Sequence, residues 1–163
     1  MKRIATTAIS MLLIVTMLVG CAPKTSNNTG ANPFAGQALA DILENIYAGV
    51  TVDLPMLFTT EITAETETAY LGTSGLDMKE AIASESMIGA IAYSVCLVRM
   101  NEGADTAAAA KDIKANVNAG KWICVQVDPA NVLVETAGDV VILIMSNDYA
   151  TDIQGSFLAL ASA

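Results

Sequence analysis

A helical spacing of apolar residues marks the start of the folded part of the chain. The residues that recur at i, i+3, i+4, i+7 and i+11 are Leu39, Ile42, Leu43, Ile46 and Val50. Because this spacing places them on one face, we predict an amphipathic helix over 36–48 that ends at Gly49. The stretch 52–60 contains a proline and is predicted to be a loop. A short helix within 61–71 is predicted to end at Gly72.

The strongest strand signals are two mostly apolar runs, 88–100 and 140–145. One face of the first run would carry Ile91, Tyr93, Val95 and Leu97. The other face would carry Ala90, Ala92, Ser94, Cys96 and Val98. Strands that are apolar on both sides are covered on both faces, so both runs are predicted to be inner strands. The run 78–86 alternates weakly and is predicted to be an edge strand.

Further elements follow in the second half of the chain. An alanine-rich helix is predicted over 105–117, and its inner stripe would include Ala110, Ile113 and Val117. The alternation over 122–127 indicates a short strand. A hairpin is predicted from 132–136 and 140–146, with a turn at 137–139.

The chain is predicted to close with a helix that Asp148 caps. The apolar side of this helix would carry Tyr149, Ile153, Phe157 and Leu160. The order of elements is helix, two strands, helix, strands and helix. It predicts an α+β fold in which an antiparallel sheet of about four to five strands packs with three to four helices in a single domain.

The first 20 residues have the pattern of a lipoprotein signal peptide. Lys2 and Arg3 precede a mostly apolar stretch, which ends in Leu18-Val19-Gly20-Cys21. We therefore predict cleavage before Cys21 and attachment of lipid, including fatty acids such as palmitate, to that cysteine. The competing interpretation is a retained transmembrane helix. Its apolar core is shorter than the roughly 20 residues that such a helix needs, and four hydroxyl side chains dilute it.

The predicted mature chain divides into a tether over 21–33 and a domain over 34–163. The tether is rich in Asn, Thr and Gly and would reach about 20 Å. Lys2 and Arg3 are two of the eight basic residues, so residues 21–163 keep six basic residues against all 17 acids, a net charge of −11. This charge repels nucleic acids, which are therefore not expected as partners.

Three segments resemble a bacterial lipoprotein family known as domain of unknown function 4358. They are Ala92-Tyr93-Ser94-Val95-Cys96-Leu97-Val98-Arg99, Lys121-Trp122-Ile123-Cys124-Val125, and Gly138-Asp139-Val140-Val141 through Ile144-Met145-Ser146. The resemblance covers about two thirds of the predicted mature chain and lies more in the layout than in one diagnostic motif. It implies an extracytoplasmic lipoprotein, typically of Gram-positive bacteria. It implies no activity, cofactor or site.

The composition removes several catalytic chemistries. The chain has no histidine, which excludes Ser-His-Asp and Cys-His catalysis and every zinc site that contains histidine. We predict no catalytic residue, cofactor or metal. Two carboxylate pairs, Glu65 with Glu67 and Asp148 with Asp152, could serve as acid and base, but solvated surface acids are the preferred interpretation.

Cys96 and Cys124 are the two cysteines of the predicted domain, and three roles are considered for them. A disulfide between them is permitted outside the cell. Because it would close a loop of 28 residues, it would stabilise the folded state by about 3 kcal/mol. The alternative is two buried thiols that act as small hydrophobic groups. A catalytic thiol is disfavoured because no cationic neighbour is evident. The lone tryptophan, Trp122, is predicted to close the edge of the core rather than bind a partner.

The preferred functional hypothesis is a non-enzymatic, lipid-anchored module on the outer face of the cell membrane. It would contact the membrane through the lipid at Cys21 and bind an unknown envelope protein or a small ligand. An envelope hydrolase that uses carboxylates alone is the alternative. A third possibility is a scaffold or inhibitor that presents the predicted edge strand 78–86 to a partner.

Overall fold

The computed structural model describes residues 32–163, which form one five-stranded antiparallel sheet with four helices. The strands lie side by side in the order β1-β2-β3-β5-β4. The helices are α1 (Leu39–Ala48), α2 (Glu67–Leu71), α3 (Thr106–Asn116) and α4 (Ala150–Ala161). The strands are β1 (Leu57–Glu61), β2 (Met78–Ser86), β3 (Tyr93–Met100), β4 (Val132–Ala137) and β5 (Val140–Ser146). The predicted α+β class is confirmed, while the predictions for Cys21 and the signal peptide lie outside the described residues.

The inner strands β3 and β5 are buried at every position, as predicted. They pair with each other from Tyr93 opposite Ser146 to Arg99 opposite Val140, with Cys96 opposite Leu143. Tyr93, Val95 and Leu97 face a first core, which α1 and α4 cover. Cys96, Val98 and Met100 face a second core, which includes residues of α2 and α3. The sheet is therefore covered on both faces because its central strands have no polar side.

Two local features explain how the helices begin and end. The Asp105 carboxylate caps α3 by accepting a hydrogen bond from the amide of Ala108 at 2.9 Å. Helix α2 ends at Gly72, which has φ of 76°. A Cβ atom at Gly72 would collide with the backbone around Asn116, at the end of α3. Glycine therefore meets two demands there, a left-handed backbone and a close approach of two helices.

The predictions for 52–60 and 78–86 were each wrong in one respect. Residues Leu57–Glu61 form β1, and β1 pairs with β2 from Leu57 opposite Ser86 to Glu61 opposite Ile82. Strand β2 has the predicted bounds, but it pairs on both sides and is not an edge. The edges of the sheet are β1 and β4. An exposed edge strand buries few side chains, so β1 lacks the apolar alternation that identifies a strand.

Three further predictions need correction. Residues 122–127 form a loop rather than a strand, and within this segment only Val127 is buried. Strand β3 begins at Tyr93 rather than at residue 88. Tyr149 occupies the N-cap position of α4 with no side-chain hydrogen bond, so Asp148 does not cap that helix. In residues 32–163, no helix has the length and apolar character needed to cross a membrane.

Candidate functional site

Lys121 lies at the centre of a polar cluster on the second face of the sheet. Its ammonium group donates hydrogen bonds to the carboxylate of Glu85 and, at 3.1 Å, to the hydroxyl of Ser94. The ring centroids of Tyr70 and Trp122 lie 4.9 and 5.3 Å from the same nitrogen. The cation is thus held by one carboxylate, one hydroxyl and two aromatic rings.

Strand register and chain topology assemble this cluster. Glu85 and Ser94 are cross-strand partners in β2 and β3, so their side chains point to the same face. The loop after α3 then carries Lys121 onto them. Ser94 and Lys121 are 27 positions apart and match no known motif, so the sequence offered no signal for this contact.

A serine beside a lysine is the arrangement of a lysine-activated nucleophile, but two observations oppose that role here. Ser94 is completely buried, so no substrate reaches its hydroxyl. The Lys121 ammonium group donates hydrogen bonds to both Glu85 and Ser94, whereas a general base would have to accept the proton of the serine hydroxyl. The cluster therefore serves to fix the loop on the sheet.

Two residues that follow the Lys121 cluster in the same loop, Ile123 and Cys124, are exposed. Trp122 packs partly against the second core, whereas Ile123 is 100% exposed and Cys124 is exposed. This agrees with the preferred prediction for Trp122. A depression of about 480 Å³ is lined by Gly120 and residues 122–126. The loop thus presents an aliphatic side chain to solvent from a fixed base.

Other exposed apolar residues lie at the same end of the sheet. Phe58 is the cross-strand partner of Glu85, the residue that binds Lys121. The amide of Met87 donates to the carbonyl of Met56 at 2.9 Å, just beyond the end of the β1–β2 pairing. We call Met56, Phe58, Met87, Ile88 and Ile123 the apolar end surface; all five are exposed. They lie at the end of the sheet where β1 begins and β2 ends, where Lys121 also binds Glu85, and several exposed apolar residues in one region are typical of interaction sites.

The two cysteines of the described region have different environments. Cys96 is fully buried and Cys124 is exposed, and both are free thiols. The structure therefore contains no bond between them, and the interpretation as buried thiols holds for Cys96 alone. Burial raises the pKa of Cys96 to about 11, although Lys121 and Ser94 act in the opposite direction. Cys96 is thus a neutral packing group at physiological pH.

The predicted carboxylate pairs are not brought together in a cleft. Glu67 is buried and accepts hydrogen bonds from the amides of Gly75 and Leu76, each at 2.9 Å. It holds the loop after α2 and is not the surface acid that we predicted. Glu65 is exposed, and a hydrogen bond from Thr63 lowers its pKa. Asp148 and Asp152 are both exposed, as predicted.

One groove of about 440 Å³ is lined by Asp77, Asp105 and Asp112. Each of these carboxylates already has a partner within the fold. Asp105 caps α3, Asp77 accepts from the side chain of Asn101 at 2.7 Å, and Asp112 accepts from the hydroxyl of Thr73. Within residues 32–163, no group of three or more acidic, cysteine or histidine side chains is arranged to hold a metal ion.

A second cation, the buried Arg99, ties the beginning of the domain to the sheet. Its guanidinium group donates to Glu80 and to both carboxylate oxygens of Asp139 at 2.9–3.1 Å. The same group donates to the carbonyls of Phe34 and Gln37 at 3.3 and 2.6 Å. Arg99 therefore joins β2, β3 and the β4–β5 turn to the segment before α1.

No protein-family model matches this chain, and neither a curated protein nor a solved structure matches it. The resemblance to domain of unknown function 4358 therefore stays a prediction.

Proposed function

We propose that this protein is a non-enzymatic interaction module, anchored by lipid on Cys21 to the outer face of the cell membrane. The signal-peptide pattern supports the anchor. The observation that carries the binding role is the apolar end surface, in which the fully exposed Ile123 follows the immobilised Lys121. A side chain presented from a fixed base loses little conformational entropy on binding.

The position of this surface suits a protein held by its N-terminus. The described chain begins at Asn32, which lies against Gly138 in the β4–β5 turn. That turn is at the end of the sheet where Arg99 pairs with Val140. The apolar end surface lies near the other end, where β1 begins and β2 ends. These two ends of the sheet are separated by six residues of β3, which corresponds to a distance of about 20 Å.

Cys21 and the tether would therefore hold the domain by the end that is remote from the apolar end surface. This leaves the surface free to meet a protein of the envelope, and a tether of about 12 residues lets the domain search the space around its anchor. The membrane would be contacted through the lipid alone.

The alternative, a hydrolase that uses carboxylates, has less support. Such an enzyme needs two carboxyl groups about 5–10 Å apart across an accessible cleft. Glu67 is buried in backbone hydrogen bonds, and the acids around the groove beside α3 each hold a structural partner.

The test of the anchor is metabolic labelling with a fatty acid. Wild-type protein is expected to incorporate the label, and Cys21→Ala protein is expected to lose it. Equal labelling of the two proteins would contradict the proposed anchor.

The test of the binding role uses the acylated protein, purified from its own membranes in mild detergent. A stoichiometric envelope protein is expected to accompany the wild type. Ile123→Asp should lose this partner, whereas Thr151→Asp, which adds the same charge at an exposed site on α4, should retain it. If all three preparations are free of a stoichiometric partner, the binding role through this surface is wrong.

A further inference from the structure

The opposite edge of the sheet carries a second and separate feature. Strand β4 pairs with β5 along one side, and its other side is the edge of the sheet. A groove of about 340 Å³ runs along this edge, lined by residues 132–135 of β4 and by Ala110, Lys111 and Lys114 of α3. Four consecutive strand residues line it, so the groove follows β4 for about 13 Å.

Two lysines and one acid, Glu135, line this groove in a protein that is otherwise strongly acidic. The Glu135 carboxylate accepts a hydrogen bond from the side chain of Gln154 on α4 at 2.7 Å, so it is held toward the face of the sheet opposite α3. Residues 32–163 contain five cations, of which Arg99 and Lys121 form the ion pairs of this region. Of the other three, Lys111 and Lys114 both line the groove. They are three positions apart on one helix, so their side chains lie on the same side of α3.

Lys114 also occupies part of the free edge. Its ammonium group donates a hydrogen bond to the carbonyl of Val132. Lysine side chains at open edges discourage unwanted strand pairing, since they cover backbone groups that a further strand would use. The side chain of lysine has a flexible four-carbon stem, so its ammonium group can reach more than one acceptor.

We infer that this groove binds an extended acidic segment of a partner protein, which adds to β4 as a sixth antiparallel or parallel strand. The backbone of the segment would pair with the free edge of β4, as in other proteins that bind peptides by strand addition. A backbone amide of the segment would replace Lys114 as the hydrogen-bond donor to the Val132 carbonyl. The released Lys114 would then join Lys111 in binding the carboxylates of the segment. The inference is independent of the proposed function, since it concerns the edge remote from β1.

The probe is a synthetic ten-residue peptide of alternating Glu and Val, with the Glu→Gln peptide as its matched control. Binding to the protein is measured by fluorescence anisotropy at low and high salt. The Glu peptide is expected to bind at least tenfold more tightly than the Gln peptide, and salt should reduce the difference. Lys111→Met/Lys114→Met should weaken binding of the Glu peptide at least tenfold, whereas Lys79→Met, at an exposed position on β2, should leave it unchanged.

Strand addition is tested separately with two N-methylated forms of the Glu peptide. Methyl groups on one alternate set of amides should abolish binding, and methyl groups on the other set should be tolerated, because only one set faces β4. Equal binding of both forms would show that charge alone is recognised and would overturn the inference. Self-association of the full chain that Lys111→Met/Lys114→Met abolishes would also overturn it, because a second copy would then fill the groove.

Discussion

Arg99 donates hydrogen bonds to both carboxylate oxygens of Asp139, at 3.0 and 3.1 Å, and so connects β3 to the β4–β5 turn. The same side chain holds the carbonyls of Phe34 and Gln37. The side chain of Arg99 is only 6% exposed, compared with 33% for Asp139 and 46% for Glu80. The buried partner is thus the cation, and the acids remain in contact with water.

Replacing Arg99 by Met is expected to lower the free energy of unfolding by about 3 kcal/mol. The two carbonyls before α1 would lose their donor, and Asp139 and Glu80 would face each other without a cation. Lys79→Met removes an exposed cation from the neighbouring strand and should cost less than about 0.5 kcal/mol. Urea unfolding of the three proteins measures both values. Similar losses for the two variants would contradict a specific role for Arg99.

Gly72→Ala tests the close approach of α2 and α3. The matched control is Gly75→Ala, since Gly75 also has positive φ, 80° against 76°, but has open space where a Cβ would lie. Alanine should cost about 1–2 kcal/mol at Gly75 from backbone strain alone. At Gly72 the collision with the backbone near Asn116 should add about 1–3 kcal/mol more. Thermal unfolding measures the difference, and equal costs would show that the helices do not meet as described.

The environments of the two cysteines predict a stepwise thiol count. In a Cys21→Ser variant, Cys96 and Cys124 are the thiols that remain. A thiol reagent should modify one group in the native protein, the exposed Cys124, and two after denaturation. If denatured, unreduced protein shows no reactive thiol, the two cysteines form the disulfide that the structure lacks.

The raised pKa of Cys96 predicts a loss of stability in alkali. The folded state keeps the thiol proton up to about pH 11, whereas the unfolded chain releases it near pH 9. Between these values the folded state binds more protons, so stability falls as pH rises. Cys96→Ala should reduce this slope by up to about 1.4 kcal/mol per pH unit. Burial also raises the pKa of Tyr47 and Tyr93, but both tyrosines remain in the variant. Identical slopes for the two proteins would contradict the burial of an uncharged Cys96.

The elements that the sequence predicted correctly are those whose pattern reflects burial. Strands β3 and β5 are apolar at almost every position because both of their faces are covered. Strand β1 was not predicted because an edge strand buries few side chains. The alternation over 122–127 wrongly predicted a strand, because contacts of Lys121 and Val127 hold this segment as a loop and the sequence pattern does not show them. Both polar clusters also escaped prediction. Lys121 and Arg99 meet their partners across 19–65 positions of the chain, and only the folded arrangement of strands and loops brings them together.

The most direct test of the proposed interaction module is site-specific photo-crosslinking in the membranes of the producing cell. A photoreactive residue at Ile123 is expected to give one discrete adduct with an envelope protein, because Ile123 lies at the centre of the exposed loop. The same residue at Thr151, exposed on α4 at the opposite face of the sheet, is expected to give none. An adduct from position 123 alone would support binding through the apolar end surface. No adduct from position 123, or equal adducts from both positions, would contradict it.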